Sequence, residues 1–237
     1  MAIILPAWVF VAFALAQLLI VGVLLLLRSA GVAISIVSET VLNTIVAAAV
    51  YLISLALVIG VPWFVRRYRT TTKELGLHRL ASWMDILLAP AGFIVYLLIS
   101  STLVYVIGQL LPNFDPGQTQ EVGFSHLVRQ YEYLLAFVTL VVIAPIAEET
   151  LFRGYLYGKL RQYVPVWIAM LTTSLLFGLL HGQLNVGIDV FALSIVLCSL
   201  RELTGSIWAG ILLHMMKNGL AFYLLFINTT LLHTIGG

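Results

Sequence analysis

Apolar residues run along this chain in long blocks broken by short polar stretches, without the two-residue alternation of strands and without a visible repeat. Four blocks, residues 1–27, 40–65, 86–114 and 162–188, contain no Asp, Glu, Lys or Arg. Each exceeds the roughly 20 apolar residues that cross a bilayer as a helix. Hydropathy predicts seven helical spans, at about 7–27, 42–65, 86–111, 133–156, 165–181, 187–200 and 207–227. The fourth is interrupted by Glu148 and Glu149, and the sixth is short, with Asp189 near its start. A membrane barrel would show segments of about ten residues alternating in polarity, and these blocks do not alternate. The pattern predicts an all-α, polytopic transmembrane helix bundle, a single membrane domain over 1–237.

Composition sharpens this. Of 237 residues, 62% are hydrophobic and 9% charged, with a mean hydropathy of +1.08. Soluble domains are about 25% charged, so a water-soluble fold is excluded. A net charge of +2 is too small to argue for a nucleic-acid partner. The lone cysteine, Cys198, permits no intrachain disulfide and is expected to pack as a small hydrophobe. The opening AIILP (2–6) lacks the basic region of a cleavable signal, so the first span is expected to be retained.

Lys and Arg in short loops set orientation. The richest loop carries Arg66, Arg67, Arg69, Lys73 and Arg79, which predicts a cytoplasmic location for it and for the N-terminus. Lys159, Arg161 and Arg201 then fall on the same side, and the acidic segment 112–132 on the other. Residues 70–85 read as an interfacial stretch, and Trp63, Trp83 and Trp167 as anchors at the headgroup level. Short loops around a single bundle suit a prokaryotic plasma membrane.

Ionisable groups inside spans are costly, at about 2.5–3.5 kcal/mol each on insertion scales, so they are functional candidates by default. Here they fall in three clusters: Glu148, Glu149 and Arg153; Phe177 with His181; and His214 with Asn218. Glu149 and Arg153 stand four residues apart, so they can pair on one helix face. Glu148 is turned about 100° away, toward a different neighbour. His214 and Asn218 share a face by the same spacing. Gly154–Gly158 and Gly178–Gly182 are small-xxx-small spacings that allow close helix approach. With straight helices rising about 1.5 Å per residue, His214 and Glu148 lie roughly 10 and 12 Å from the cytoplasmic face, and His181 roughly 24 Å. Depth alone therefore does not bring His181 to the other two.

These residues spell EExxxR (148–153), FxxxH (177–181) and HxxxN (214–218). In that order and within membrane spans, they resemble the CAAX protease and bacteriocin-processing family, also called the ABI family, of intramembrane endopeptidases. KELGL (73–77) and TGSIW (204–208) are similar to family sequence too. The resemblance covers about 70–220, the catalytic core, and leaves 1–69 as two leading spans.

The resemblance implies hydrolysis of a peptide bond in a membrane-associated peptide or lipidated peptide, prenylated CAAX C-termini being the best-known substrates. The active site is expected nearer the cytoplasmic face. Glu148 and His181 would hold and deprotonate a water, and His214 and Asn218 would donate to the oxyanion. Glu149 with Arg153 would brace the site. Family members have been viewed as metalloproteases and as glutamate-dependent enzymes. Glu148, His181 and His214 would be the zinc ligands in the first case. HExxH is absent, so no required cofactor is expected, with zinc as the alternative.

Plainer readings stand beside these. Glu149–Arg153 can be a purely structural ion pair, the two histidines and Asn218 can be helix glue, and Phe177 reads as packing before substrate binding. His78, His126 and His233 read as loop or terminal residues, and Asn185 and Asp189 as a solvated loop. Two other functions fit the charges: a proton- or ion-coupled transporter, which predicts inverted repeats that are not visible here, and an idle membrane scaffold.

Overall fold

The structure, a computed structural model, describes residues 3–34, 37–118, 123–124, 127–228. Ala2 of the opening segment, His126 and His233 lie outside the described residues. Eight helices carry the described chain: α1 (Ile4–Ser29), α2 (Glu39–Arg66), the single turn α3 (Thr72–Leu75), α4 (Trp83–Leu110), α5 (Gln130–Leu160), α6 (Val166–Leu179), α7 (Leu184–Thr204) and α8 (Trp208–Ile227). No strand occurs among the described residues. Six of the eight are long and apolar enough to cross a membrane, and α6 is a shorter apolar helix. This is an all-α polytopic bundle, and the protein is an integral membrane protein.

Local chemistry fixes the helix ends. Ser38, Thr71 and Ser82 accept hydrogen bonds from backbone N–H groups of the first turns of α2, α3 and α4. Gly76 and Gly205 end α3 and α7 in the left-handed region, at φ of 74° and 67°, where a side chain would be strained.

Two spans depart from the hydropathy reading. The sixth was expected at 187–200, yet α7 runs from Leu184 to Thr204. Asp189 therefore sits inside the helix. Its Oδ1 accepts hydrogen bonds from Tyr96 and Ser100 on α4, both at 2.6 Å, and Lys217 on α8 approaches Oδ2 at 3.4 Å. Partners distant in sequence make the carboxylate tolerable there. The fifth span was expected at 165–181, but α6 stops at Leu179 after 14 residues, about 21 Å of rise, and His181 lies in the turn beyond it.

The glycine spacings also resolve differently. A side chain on Gly178 would press its Cβ to 2.8 Å from the Gly187 carbonyl oxygen, so Gly178 lets α6 and α7 touch backbone to backbone. Gly182, at φ 72° with open space around it, serves the turn and not a helix contact. Gly154 and Gly158 make room for the carbonyls of Leu75 and Glu74, each 3.0 Å from an added Cβ. The close approach there is between α5 and the KELG turn. That turn in turn accepts from the TGSIW segment: Ser206 Oγ donates to the Gly76 carbonyl at 2.9 Å, and Trp208 Nε1 donates to the Arg79 carbonyl at 2.7 Å. The 73–79 turn and the 204–208 segment thus clamp each other and the start of α8.

The core follows the second half of the chain. Leu151, Leu156, Tyr157, Phe177 and Cys198 are fully buried between α5, α6 and α7. The outer faces of α1, α2 and α4 expose Leu, Val, Ile and Phe to the surroundings, as lipid-facing helices do.

Candidate active site

α5 is the element that builds the site, and it is not uniformly α-helical. Val138–Ile143 and Thr150–Tyr157 are π-helical and flank the α-helical Ala144–Glu149. Such widened turns are rare and concentrate at functional positions. Near them, the hydroxyls of Thr139 and Thr150 donate to the carbonyls four residues back, and Asn218 Nδ2 donates to the Leu140 carbonyl at 2.8 Å.

Glu149 and Arg153 are fully buried and pair at 3.0 Å. Glu149 Oε1 is shared, because His214 Nδ1 also lies 3.0 Å from it. A carboxylate oxygen only accepts, so this contact puts the proton on His214 Nδ1. The other ring nitrogen, Nε2, stands 3.7 Å from Glu148 Oε2. His214 thus bridges the two adjacent glutamates, one at each side of its ring. The same logic fixes His181: its Nδ1 is 2.8 Å from the Phe177 carbonyl oxygen, which makes Nδ1–H the donor and leaves Nε2 as an acceptor.

Phe177 is the hub behind these groups. Its ring lies 4.9 Å from that of His181 and 6.0 Å from that of His214, with the Arg153 guanidinium 4.3 Å above it. A cation over an aromatic face is favourable, and more so away from water. Phe177 is fully buried in the core, behind the cavity and not on its wall.

Glu148, His181, His214 and Asn218 line one cavity of about 250 Å³. The depth mismatch from straight-helix arithmetic does not keep His181 apart, since the turn after α6 carries it to the same cavity. Two polar lining residues were not singled out from the sequence. Tyr51 on α2 donates its hydroxyl to Glu148 Oε1 at 2.5 Å, and Lys217, anchored by Asp189, brings a cation to the wall. Nothing in the sequence marks Tyr51, but Lys217 is a charged residue inside a predicted span and could have been found on that ground. The remaining walls are apolar, with Leu140, Ala144, Phe222 and Phe226 among them.

For zinc, the ring nitrogens of His181 and His214 have the backing acceptors usual behind metal ligands. Among the described residues, however, no three of His, Cys, Asp and Glu are grouped closely enough to hold an ion.

All three motifs fall inside a stretch with known relatives. Residues 130–220 match the family model described as type II CAAX prenyl endopeptidase Rce1-like. The resemblance carried by the motifs therefore holds for this segment. Among curated proteins, the chain is 28% identical over 138 residues to the "Putative membrane peptidase YdiL" of Bacillus subtilis, covering 57% of this chain and 54% of that one. It is 28% identical over 127 residues to the "UPF0177 protein YxdF" of Lactococcus lactis, covering 54% and 66% of the two chains. An uncharacterized 24.3 kDa protein of Escherichia coli is 33% identical over 89 residues, covering 35% and 41%. The matches thus span about half the length of these relatives. No solved structure matches the chain.

Proposed function

We propose that this Rce1-like membrane protein is an intramembrane endopeptidase that hydrolyses a peptide bond in a membrane-associated peptide with a water activated by Glu148. The observation that carries the reading is the shared cavity: one carboxylate, oriented by Tyr51 and His214, opens onto the same space as the acceptor nitrogen-bearing ring of His181.

The chemistry follows from the donors and acceptors. A water between Glu148 and His181 Nε2 finds two acceptors for its two hydrogens. Glu148 takes one proton as the hydroxide adds to the scissile carbonyl carbon, a general-base step. The oxyanion that forms needs donors. Asn218 spends one amide hydrogen on Leu140 and keeps the other, and His214 donates through Nε2 in its imidazolium form, which Glu149 and Glu148 flank on both sides. Glu148 then returns its proton to the leaving amine. Glu149 and Arg153 act as positioning residues, since Arg153 compensates the carboxylate that holds His214. No metal is required in this scheme, and a cytoplasmic N-terminus with the site nearer the cytoplasmic face is the topology that goes with it.

The test is cleavage of a fluorogenic farnesylated CAAX peptide, and of the same peptide without the lipid, by purified wild type and Glu148→Ala, with and without a strong chelator. Wild-type activity that survives chelation and is lost in Glu148→Ala is expected. Loss on chelation with recovery on adding Zn²⁺ would overturn the metal-free scheme, and a Glu148→Ala enzyme as fast as wild type would overturn the assignment of the base. Cleavage of both peptides alike would remove the prenyl group from the specificity.

A further inference from the structure

A second cavity lies away from the glutamates, at the ends of three helices. It is about 460 Å³ and sits between the first turns of α1, the last turns of α2 and the C-terminal end of α5. Leu5, Trp8 and Val61 belong to its apolar wall, while Arg66, Tyr155 and Lys159 are among its polar lining, and no carboxylate of the described residues lines it. These are helix ends, so the groove lies where a bilayer passes from hydrocarbon to headgroups.

Three features of the polar end point to a ligand. Arg66 has no ion-pair or side-chain hydrogen-bond partner among the described residues. Tyr155 is almost wholly buried, yet its hydroxyl makes no hydrogen bond among the described residues while it borders the groove. Lys159 is held in place by the Tyr68 hydroxyl at 3.1 Å and by Glu74 at 3.7 Å, and its ammonium lies over the Tyr68 and Tyr155 rings. Around that single acid the neighbouring chain adds Arg67 and Arg69, so positive charge is in excess.

We propose that this groove binds one anionic phospholipid, its phosphodiester at Arg66, Lys159 and the Tyr155 hydroxyl, and an acyl chain along Leu5, Trp8 and Val61. A free anion would leave the apolar walls empty. A zwitterionic lipid would bring a choline cation to a cationic pocket. Basic pockets between transmembrane helices recognise anionic headgroups by this combination. Because Tyr155 follows Arg153 by two residues on α5, the lipid would tie α1 and α2 to the helix that carries the candidate site, without entering it.

The experiment is native mass spectrometry and thermal unfolding of the intact protein in detergent, titrated with dioleoylphosphatidylglycerol, dioleoylphosphatidylcholine or inorganic phosphate. One tightly held phosphatidylglycerol that raises the unfolding temperature is expected. Its affinity should fall about fivefold in Arg66→Gln, the weight of one cation near a charged headgroup, and by a similar factor in Tyr155→Phe. Lys73→Gln, which leaves the groove lining intact, should bind as wild type. Equal binding and stabilisation by phosphatidylcholine, phosphate alone reproducing the effect, or unchanged affinity in both Arg66→Gln and Tyr155→Phe would each overturn the proposal.

Discussion

The Tyr51 hydroxyl and Glu148 Oε1 meet at 2.5 Å across the bundle, joining α2 to the adjacent glutamates of α5. One of the two leading helices thus reaches the carboxylate on which the proposed hydrolysis depends, although the family match begins only at residue 130. Glu148 is held from two sides, by this phenol and by His214, and so presents one orientation to the cavity.

Removing that phenol should cost rate more than stability. A hydrogen bond to a charged group is worth about 1.5–3 kcal/mol, so Tyr51→Phe is expected to lower kcat by roughly 10–100-fold if the bond acts in the transition state. The ring stays, so the unfolding temperature in detergent should shift little. A kcat equal to wild type would show that Tyr51 merely fills space.

The Glu149–Arg153 pair separates stability from activity in another way. Arg153→Met leaves a buried carboxylate without its cation, which should destabilise the protein by about 3–5 kcal/mol. Arg153→Lys should not restore it fully, because the guanidinium is also stacked on Phe177. The double variant Glu149→Gln/Arg153→Met should regain much of the stability by removing the stranded charge. It should remain slow, since His214 has lost the carboxylate that orients its Nδ1. Full recovery of both quantities would reduce Glu149 to a structural ion.

Much of this site is legible in the sequence because its chemistry is costly in a membrane. Glu148, Glu149, Arg153, His181 and His214 stand out against apolar spans, and the spacing of Glu149 and Arg153 gives their pairing directly. What escapes is set by partners distant along the chain. Asp189 reads as a solvated loop residue until Tyr96 and Ser100, 93 and 89 residues away, supply its hydrogen bonds. Tyr51 reads as one more aromatic in an apolar helix, because its role exists only once α2 packs on α5. The π-helical turns of α5 leave no periodic signature in a stretch that is apolar throughout.

Gly178 illustrates a constraint that spacing located but misassigned. An added methyl would meet the Gly187 backbone oxygen at 2.8 Å, and backbone cannot swing aside. Gly178→Ala should therefore force α6 from α7, at about 1–3 kcal/mol of overpacking, and move His181 three residues on. Gly182→Ala meets open space and is strained only by its φ of 72°, so it should destabilise through the turn without separating the helices. A cysteine cross-linking pair reporting the α6–α7 distance would tell the two apart: the distance should grow in Gly178→Ala alone.

The loop between α2 and α4 gives a pH dependence with a definite sign. Burial alone would raise the Glu74 carboxyl, but the hydrogen bond from Tyr68, the Thr71 backbone N–H and the nearby Lys159 outweigh it and hold Glu74 below its ordinary 4.5. A carboxyl that is more acidic when folded stabilises the fold above the unfolded value, and that contribution is lost as pH falls below about 4.5. Tyr68 shifts the other way. Its hydrogen bond to Glu74, then burial, push the phenol up to about 12 from 10.0. That contribution is complete below pH 10.0 and disappears as pH rises through about 12. Tyr68 is exposed and Glu74 partly so, so each effect should be small and salt-sensitive. Thermal unfolding in detergent between pH 3 and pH 12 checks this: Glu74→Gln should flatten the acid limb and remove the support of Tyr68, whereas Tyr68→Phe should flatten the alkaline limb and shift the acid limb toward the ordinary carboxylate range. An acid limb unchanged in Glu74→Gln would assign that limb to other carboxylates.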